Sequence, residues 1–326
     1  MWMLMCGTLL WSGGLWSGAL WAGDYEQWVE TLQAADRAHG AARFQEAADA
    51  LVRAVGIAGG LDHADAHLAG TLLRLGSVYA DMGQMRDAEN AYLRALAAWE
   101  RADSSDPERS AALMGLATVY TQLQEFGKAE RFGRAAIEIR EKAWGPGHPD
   151  VGAAYQNMAA VYQSERRYPE ALEIYRRALE IMSTAGRPED VATVRSNLGL
   201  LLAGMGRPEE AVAETRQAID ILETSGPRQQ PRLAVGLTNL SAMYGLMGRW
   251  AEAEAPVERA REIVARVLGP GDLSLGPVLR TYADVLRHTG RKREARQMER
   301  QAEALRQEAA AQNLTGYTLD AKAYHP

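Results

Sequence analysis

Alanine returns at a nearly fixed interval along this chain. Ala47, Ala88, Ala129, Ala171, Ala211, Ala253 and Ala295 stand 41, 41, 42, 40, 42 and 42 residues apart. Seven residues beyond each comes a second alanine, at Ala54, Ala95, Ala136, Ala178, Ala218, Ala260 and Ala302. Twelve residues before each comes a third small residue: Ala35, Gly76, Ala117, Ala159, Gly199, Ser241 and Ala283. Three such columns in seven copies define an internal repeat. Small side chains at fixed points on two antiparallel helices let the axes approach, where larger ones would hold them apart.

Other columns fit the same unit. Three residues after the first small position stands a bulky one in most copies: Tyr79, Tyr120, Tyr162, Leu202, Tyr244 and Leu286. One turn further along the same face, it can fill the gap between hairpins. A turn follows, clearest in Gly83-Gln84-Met85, Gly206-Arg207-Pro208, Gly248-Arg249-Trp250 and Gly290-Arg291-Lys292. Glycine there suits a helix C-terminus. Glu170 and Glu210 open the next helix, where an acid complements the dipole. Abundant alanine and only three Phe favour packed helices over sandwiches or barrels.

Leu72, Leu75, Gly76, Tyr79, Gly83, Ala88, Tyr92 and Ala95 resemble the tetratricopeptide pattern at its usual spacing. The period of about 41 exceeds the roughly 34 residues of the standard unit. With the stretch from Ile139 to Asp150 (IREKAWGPGHPD), it is similar to the kinesin light chain subtype. The resemblance covers about residues 25–312 and implies an all-α, right-handed solenoid of about seven antiparallel helix pairs. Ala38 in the bulky column and Glu299 in the place of Tyr92 or Tyr175 mark atypical end repeats. Such ends suit caps that face water.

Each first helix should carry a buried stripe and an opposite one. In the fourth copy, Tyr155, Met158, Ala159 and Tyr162 are expected in the core, leaving Ala153, Gln156, Asn157, Ala160 and Gln163 on the other side. Stacking would align these second stripes into a groove. Asn157, Asn197 and Asn239 hold one equivalent position in three successive repeats. An amide both donates and accepts, so a row of Asn can hold an extended peptide backbone without reading its sequence. The kinesin light chain resemblance also implies peptide contact at these asparagines. The competing reading is a hydrogen bond between helices that sets hairpin spacing. Gln156, Ser196, Thr238, Thr118, Gln122 and Gln163 keep the groove polar and nearly uncharged, and Arg280, Asp284 and Arg287 charge its C-terminal end. Ser, Thr and Gln stand where a carboxylate-clamping tetratricopeptide domain would place lysines, so that clamp is not expected.

The expected function is therefore a non-enzymatic scaffold that binds a protein or peptide, with no cofactor or metal. A formal net charge of −6 and no basic run longer than Arg291-Lys292-Arg293 argue against nucleic acid. One cysteine, Cys6, excludes a disulfide framework and a zinc ribbon within the chain. His63 and His67, four apart around Asp65, are a metal-binding spacing on a helix and support the alternative of a metal-dependent enzyme. No third ligand is visible, and a helix start in a solvated turn explains them, as it explains His148-Pro149-Asp150. No phosphate loop, nucleophile elbow or zinc-protease helix occurs.

Residues 1–22 carry no charged side chain and hold four of the eight Trp. They read as a secretory signal with small residues at Ser17-Gly18-Ala19 or Ala22-Gly23, although the first residues lack Lys or Arg. A periplasmic or secreted protein is expected, or a membrane-anchored sensor or adaptor if the segment stays attached. Residues 313–326 lose the helical pattern and should form a flexible tail.

Overall fold

The computed structural model describes residues 14–102, 106–185 and 187–311, and side chains within 23–102, 106–184 and 187–308. Among the described residues there are fourteen α-helices and no strands. They pair as α1 (Gly14–Gly40) with α2 (Phe44–Ala58), α3 (Ala64–Asp81) with α4 (Met85–Arg101), and α5 (Arg109–Gln122) with α6 (Phe126–Trp144). Next come α7 (Pro149–Ser164) with α8 (Tyr168–Ala185), α9 (Pro188–Gly204) with α10 (Pro208–Thr224), α11 (Gln230–Leu246) with α12 (Trp250–Val267), and α13 (Leu275–His288) with α14 (Lys292–Ala311). These are the seven hairpins expected from the alanine columns. The chain divides into two compact units, Met1–Gly115 and Leu116–Pro326, with the division inside α5.

Residues 1–13 and 312–326, which contain most of the expected signal and all of the expected tail, lie outside the described residues. No helix among the described residues is long and apolar enough to cross a membrane.

The small columns are buried throughout. The fourteen second-helix alanines are at most 3% exposed, and the five Ala and Ser of the first-helix column at most 1%. Ser241 shows why the column stays small: its Oγ donates to the Ala253 carbonyl at 2.7 Å, so the two backbones nearly touch. At Gly199 an added Cβ would lie 3.1 Å from the equivalent Ala211 carbonyl and 2.5 Å from Thr215 Oγ1.

Alanine and glycine are not interchangeable here. The Tyr92 ring sits between Gly76 and Gly115, where added Cβ atoms would come within 2.6 and 2.4 Å of ring carbons. Burial, then the Asp81 charge, push the Tyr92 hydroxyl up to about 12. Where Ala117 replaces glycine in the small column, Gly133 stands opposite in the place of Tyr92. Met158 of α7 fills the space there, its Sδ 2.7 Å from a Cβ added at Gly133, so packing is balanced among several helices rather than at each position.

One aromatic expectation needs correction. Tyr155, expected in the core, is only half-buried. Tyr155 extends its hydroxyl to Glu141 Oε1 at 2.9 Å, spanning from α7 to α6. A phenol with a polar tip can cover core while reaching a wet partner, which a hydrophobic periodicity does not distinguish from full burial.

All seven intra-hairpin turns share one geometry. Gly83, Gly206, Gly248 and Gly290 adopt φ between 70° and 85°, and Ala42, Gln124 and Arg166 take the same place at 56°, 59° and 63°. The following residue donates its N–H to the carbonyl of the bulky column, as in Gln84 to Tyr79 and Arg167 to Tyr162, both 2.9 Å. This is the Schellman closure of a helix end. A non-glycine residue there costs roughly 1–2 kcal/mol, against a smaller entropic cost of glycine. Each of Ala42→Gly, Gln124→Gly and Arg166→Gly should therefore raise unfolding free energy by roughly 0.5 kcal/mol or more. Urea midpoints that stay level or fall in all three variants would contradict this account of the turn.

Candidate peptide-binding face

In the unit from Leu116 onward, each first helix is packed on two sides. It meets its own second helix and that of the preceding hairpin, as α9 meets α10 and α8, and α11 meets α12 and α10. The most exposed positions of each first helix fall along one strip. On α7 it comprises Ala153, Asn157, Ala160 and Ser164, on α9 Thr193, Asn197, Leu200 and Gly204, and on α11 Val235, Asn239, Ala242 and Leu246. These side chains are uncharged, while Asp150, Asp190 and Arg232, seven residues before the asparagines, charge the N-terminal end of the strip. Val235 at 43% and Leu246 at 60% exposure make it partly apolar beside the asparagines.

Asn157 is exposed, and Asn197 and Asn239 are half-buried. The three amides recur on the same face, one hairpin apart, and none takes part in a hydrogen bond among the described residues. The hydrogen bond between helices that would have made them spacers is not formed there. Each keeps two donors and an acceptor for an incoming peptide group.

The neighbouring polar residues divide into two sets. Ser196 and Thr238 turn their hydroxyls onto their own helix, donating to Ala192 O at 2.9 Å and Ala234 O at 2.8 Å, and Thr238 is 9% exposed. Gln163 accepts from the Tyr175 hydroxyl at 3.2 Å. A one-letter pattern cannot show that these groups are already engaged. Thr118 and Gln122 are exposed on α5, and Gln156 and Arg280 are half-buried on α7 and α13.

A recurring set of ion pairs had no place in the expected site. At the start of the second helix, Arg43, Arg167, Arg207, Arg249 and Arg291 each pair with a glutamate three residues on, at 2.5–2.9 Å. The recurring Arg-x-x-Glu after the turn was the available signal. Exposed pairs of this kind contribute about 0–1 kcal/mol each. Arg167 also bridges to Glu130 of the previous hairpin at 3.0 Å and lies 4.4 Å from the Tyr162 ring centroid. Burial would raise the Glu130 carboxyl, but hydrogen bonds from Tyr162 and Arg167 and the Arg134 charge outweigh it and hold it low.

The unit up to Gly115 places His63 and His67 differently from a metal site. His63 caps α3 in a left-handed conformation, exposed, with its Nε2 3.8 Å from Asp62. The His67 ring lies against Trp28, centroids 4.5 Å apart, while Trp28 Nε1 donates to Thr71 Oγ1 at 3.1 Å. Burial, then the nearby His63, lower the His67 pKa. Among the described residues no group of three or more His, Cys, Asp or Glu is placed to hold a metal ion. A cavity of about 400 Å³ adjoins this ring pair, lined by Trp28, Leu32, His67, Leu73, Arg74 and Glu108 among others.

Three comparisons bear on the family. A family model for the tetratricopeptide repeat matches residues 67–142, 145–224 and 232–308, well over half of the chain. No curated protein matches. Among solved structures, BtubC (BKLC) from P. vanneervenii is 24% identical, with a TM-score of 0.55, over 76% of this chain and 92% of that one. A putative kinesin light chain with nearly identical TPR-like repeats from Podosopora anserina is 22% identical, with a TM-score of 0.53, over 64% of this chain and 99% of that one. The Rap conjugation gene regulator of the plasmid pLS20, solved in complex with the Phr* peptide, is 13% identical, with a TM-score of 0.63, over 95% and 81%. At these identities the structures share the fold. With seven hairpins closed by one turn geometry and a family model spanning most of them, this chain belongs to the tetratricopeptide repeat family.

Proposed function

We propose that this chain is a non-enzymatic protein-binding scaffold that holds an extended segment of a partner along the first-helix strip of α7, α9 and α11. The observation that carries the reading is the row of Asn157, Asn197 and Asn239, exposed or half-buried with no hydrogen bond among the described residues. A peptide backbone offers a donor and an acceptor at every residue, which is what amides at a regular spacing can satisfy. Ala160, Ala242, Val235 and Leu246 leave room and apolar surface for its side chains. Affinity then arises from several weak aligned contacts on a preorganised surface. The Rap regulator solved with the Phr* peptide lends this reading support by likeness of fold.

Changing Asn157, Asn197 and Asn239 together to Ala should leave helicity and melting unchanged. Binding of peptides selected by the native protein from a random dodecapeptide library should weaken about tenfold or more, as expected for several lost hydrogen bonds. Loss of helicity would show that the asparagines hold the array together, and unchanged affinity would remove the row from the binding surface.

The setting proposed is periplasmic or secreted, supported by the uncharged, Trp-rich residues 1–22. Intact mass of the protein recovered from its native compartment should show removal of roughly these residues. An intact N-terminus in a membrane fraction would favour the anchored sensor or adaptor instead.

A further inference from the structure

We propose that the open front of the first hairpin, between α1 and α2, is a second docking site, separate from the first-helix strip. Its guest is a helix of a partner protein carrying an acid, a base and an acid at four-residue spacing. In later hairpins the same front receives the preceding second helix, as α3 receives α2, α11 receives α10 and α13 receives α12. No second helix precedes α1 among the described residues. A cavity of about 470 Å³ lies there instead, lined by Glu30, Ala34 and Arg37 of α1 and Arg53 of α2 among others.

Three contacts of α10 with α11 and α12 give the register of such a guest. Thr215, four residues beyond Ala211, donates its hydroxyl to Met243 Sδ at 3.3 Å, and Met243 holds the column of Arg37. Ile219, eight beyond, lies 3.3 Å from a Cβ added at Gly236, which holds the column of Glu30. Glu223, twelve beyond, pairs at 2.5 Å with Arg259 of α12, which holds the column of Arg53. A helix seated on α1 and α2 in that register presents residues i, i+4 and i+8 to Arg37, Glu30 and Arg53. Those residues form one stripe about 12 Å long.

The lining sets the charges. Arg37 stands where Val78, Val161, Leu201, Met243 and Val285 are at most 3% exposed, and Glu30 where Thr71, Ala154, Val194, Gly236 and Val278 are buried. Solvation of an end repeat asks only for polar residues in these columns. Here Glu30, Arg37 and Arg53 share one groove, and none has a hydrogen bond or ion pair to its side chain among the described residues. Arg43, Arg74 and Arg101 of the same unit are all paired. An acid opposite Arg37, a base opposite Glu30 and an acid opposite Arg53 complement all three. Neither end of this chain supplies that stripe. Residues 1–13 carry no charged side chain, and residues 312–326 hold a single acidic one, Asp320. In the same register α14 of a second copy would offer Glu299, Glu303 and Gln307, which sets Glu303 against Glu30 and leaves Arg53 unanswered. The guest therefore belongs to a different protein.

A displayed helix of about 18 residues built from Ala, Leu and Gln, with the three stripe positions varied among Glu, Lys and Ala, tests this on the full chain. The native protein should enrich Glu, Lys, Glu about tenfold or more over Lys, Glu, Lys. Glu30, Arg37 and Arg53 are exposed, so the combined variant Glu30→Lys, Arg37→Glu, Arg53→Glu should melt with the native protein. It should reverse the preference. The variant with Asn157, Asn197 and Asn239 changed to Ala should select as the native protein does. No enrichment, or equal enrichment of the two stripes, by the native protein would overturn the assignment, as would a charge-reversed variant that keeps the native preference. Selection lost in the asparagine variant would place the helix on the first-helix strip and overturn this second site while leaving the strip in place.

Discussion

Arginine in place of Ala171 should cost more than about 4 kcal/mol and open the array locally, because a cation would be forced into a space with no solvent and no partner. Ala171 is fully buried in the second-helix column. The equivalent hairpin shows how little room exists there, with a Cβ at Gly199 only 3.1 Å from the Ala211 carbonyl. The guanidinium cannot reach water without separating α7 from α8. Hairpins in a linear array take much of their stability from their neighbours, so the damage should spread to the adjoining helices α6 and α9. Hydrogen exchange should show protection lost across α6–α9 first, and the melting temperature should fall steeply. A melting curve superimposable on that of the native protein would mean the column is not where the helices meet.

The second large effect runs against helix propensity. Gly76→Ala replaces a residue that costs about 1 kcal/mol in a helix interior, and on propensity alone should stabilise α3. It should instead destabilise by about 1–3 kcal/mol, because the new methyl would lie 2.6 Å from the Tyr92 ring, and Gly115 closes the ring's other side. The ring has nowhere to move. Pairing Gly76→Ala with Tyr92→Leu should recover a substantial part of the loss, and a double-mutant cycle measures that coupling directly. Gly76→Ala neutral or stabilising by urea titration, with no coupling to Tyr92, would show that the ring can slide aside.

These two positions illustrate what was legible beforehand. Ala171 could be placed from the one-letter pattern, since a column of alanine in seven copies has no economical explanation except close helices. Gly76 and Ala117 stand in the same column and look equivalent in a sequence, yet the first is obliged to be glycine by Tyr92 and the second is matched by Gly133. The space at each site is shared with other helices, through the Tyr92 ring in one case and Met158 of α7 in the other, and reading one position at a time misses it. The candidate face follows the same division. The register of Asn157, Asn197 and Asn239 was countable, but that their amides stay unengaged while Ser196, Thr238 and Gln163 are turned to other acceptors depends on side-chain rotamers that no spacing encodes.

The periodicity of small residues, the turn glycines and the absence of long charged blocks were enough to establish helical hairpins and their number. Those features are local or strictly repeated, and helix geometry converts them into faces without further information. Which glycines are indispensable and which polar groups remain free were settled only when the hairpins packed. Each of those depends on atoms brought together from different helices, where a few tenths of an ångström or one rotamer decides whether a group is satisfied.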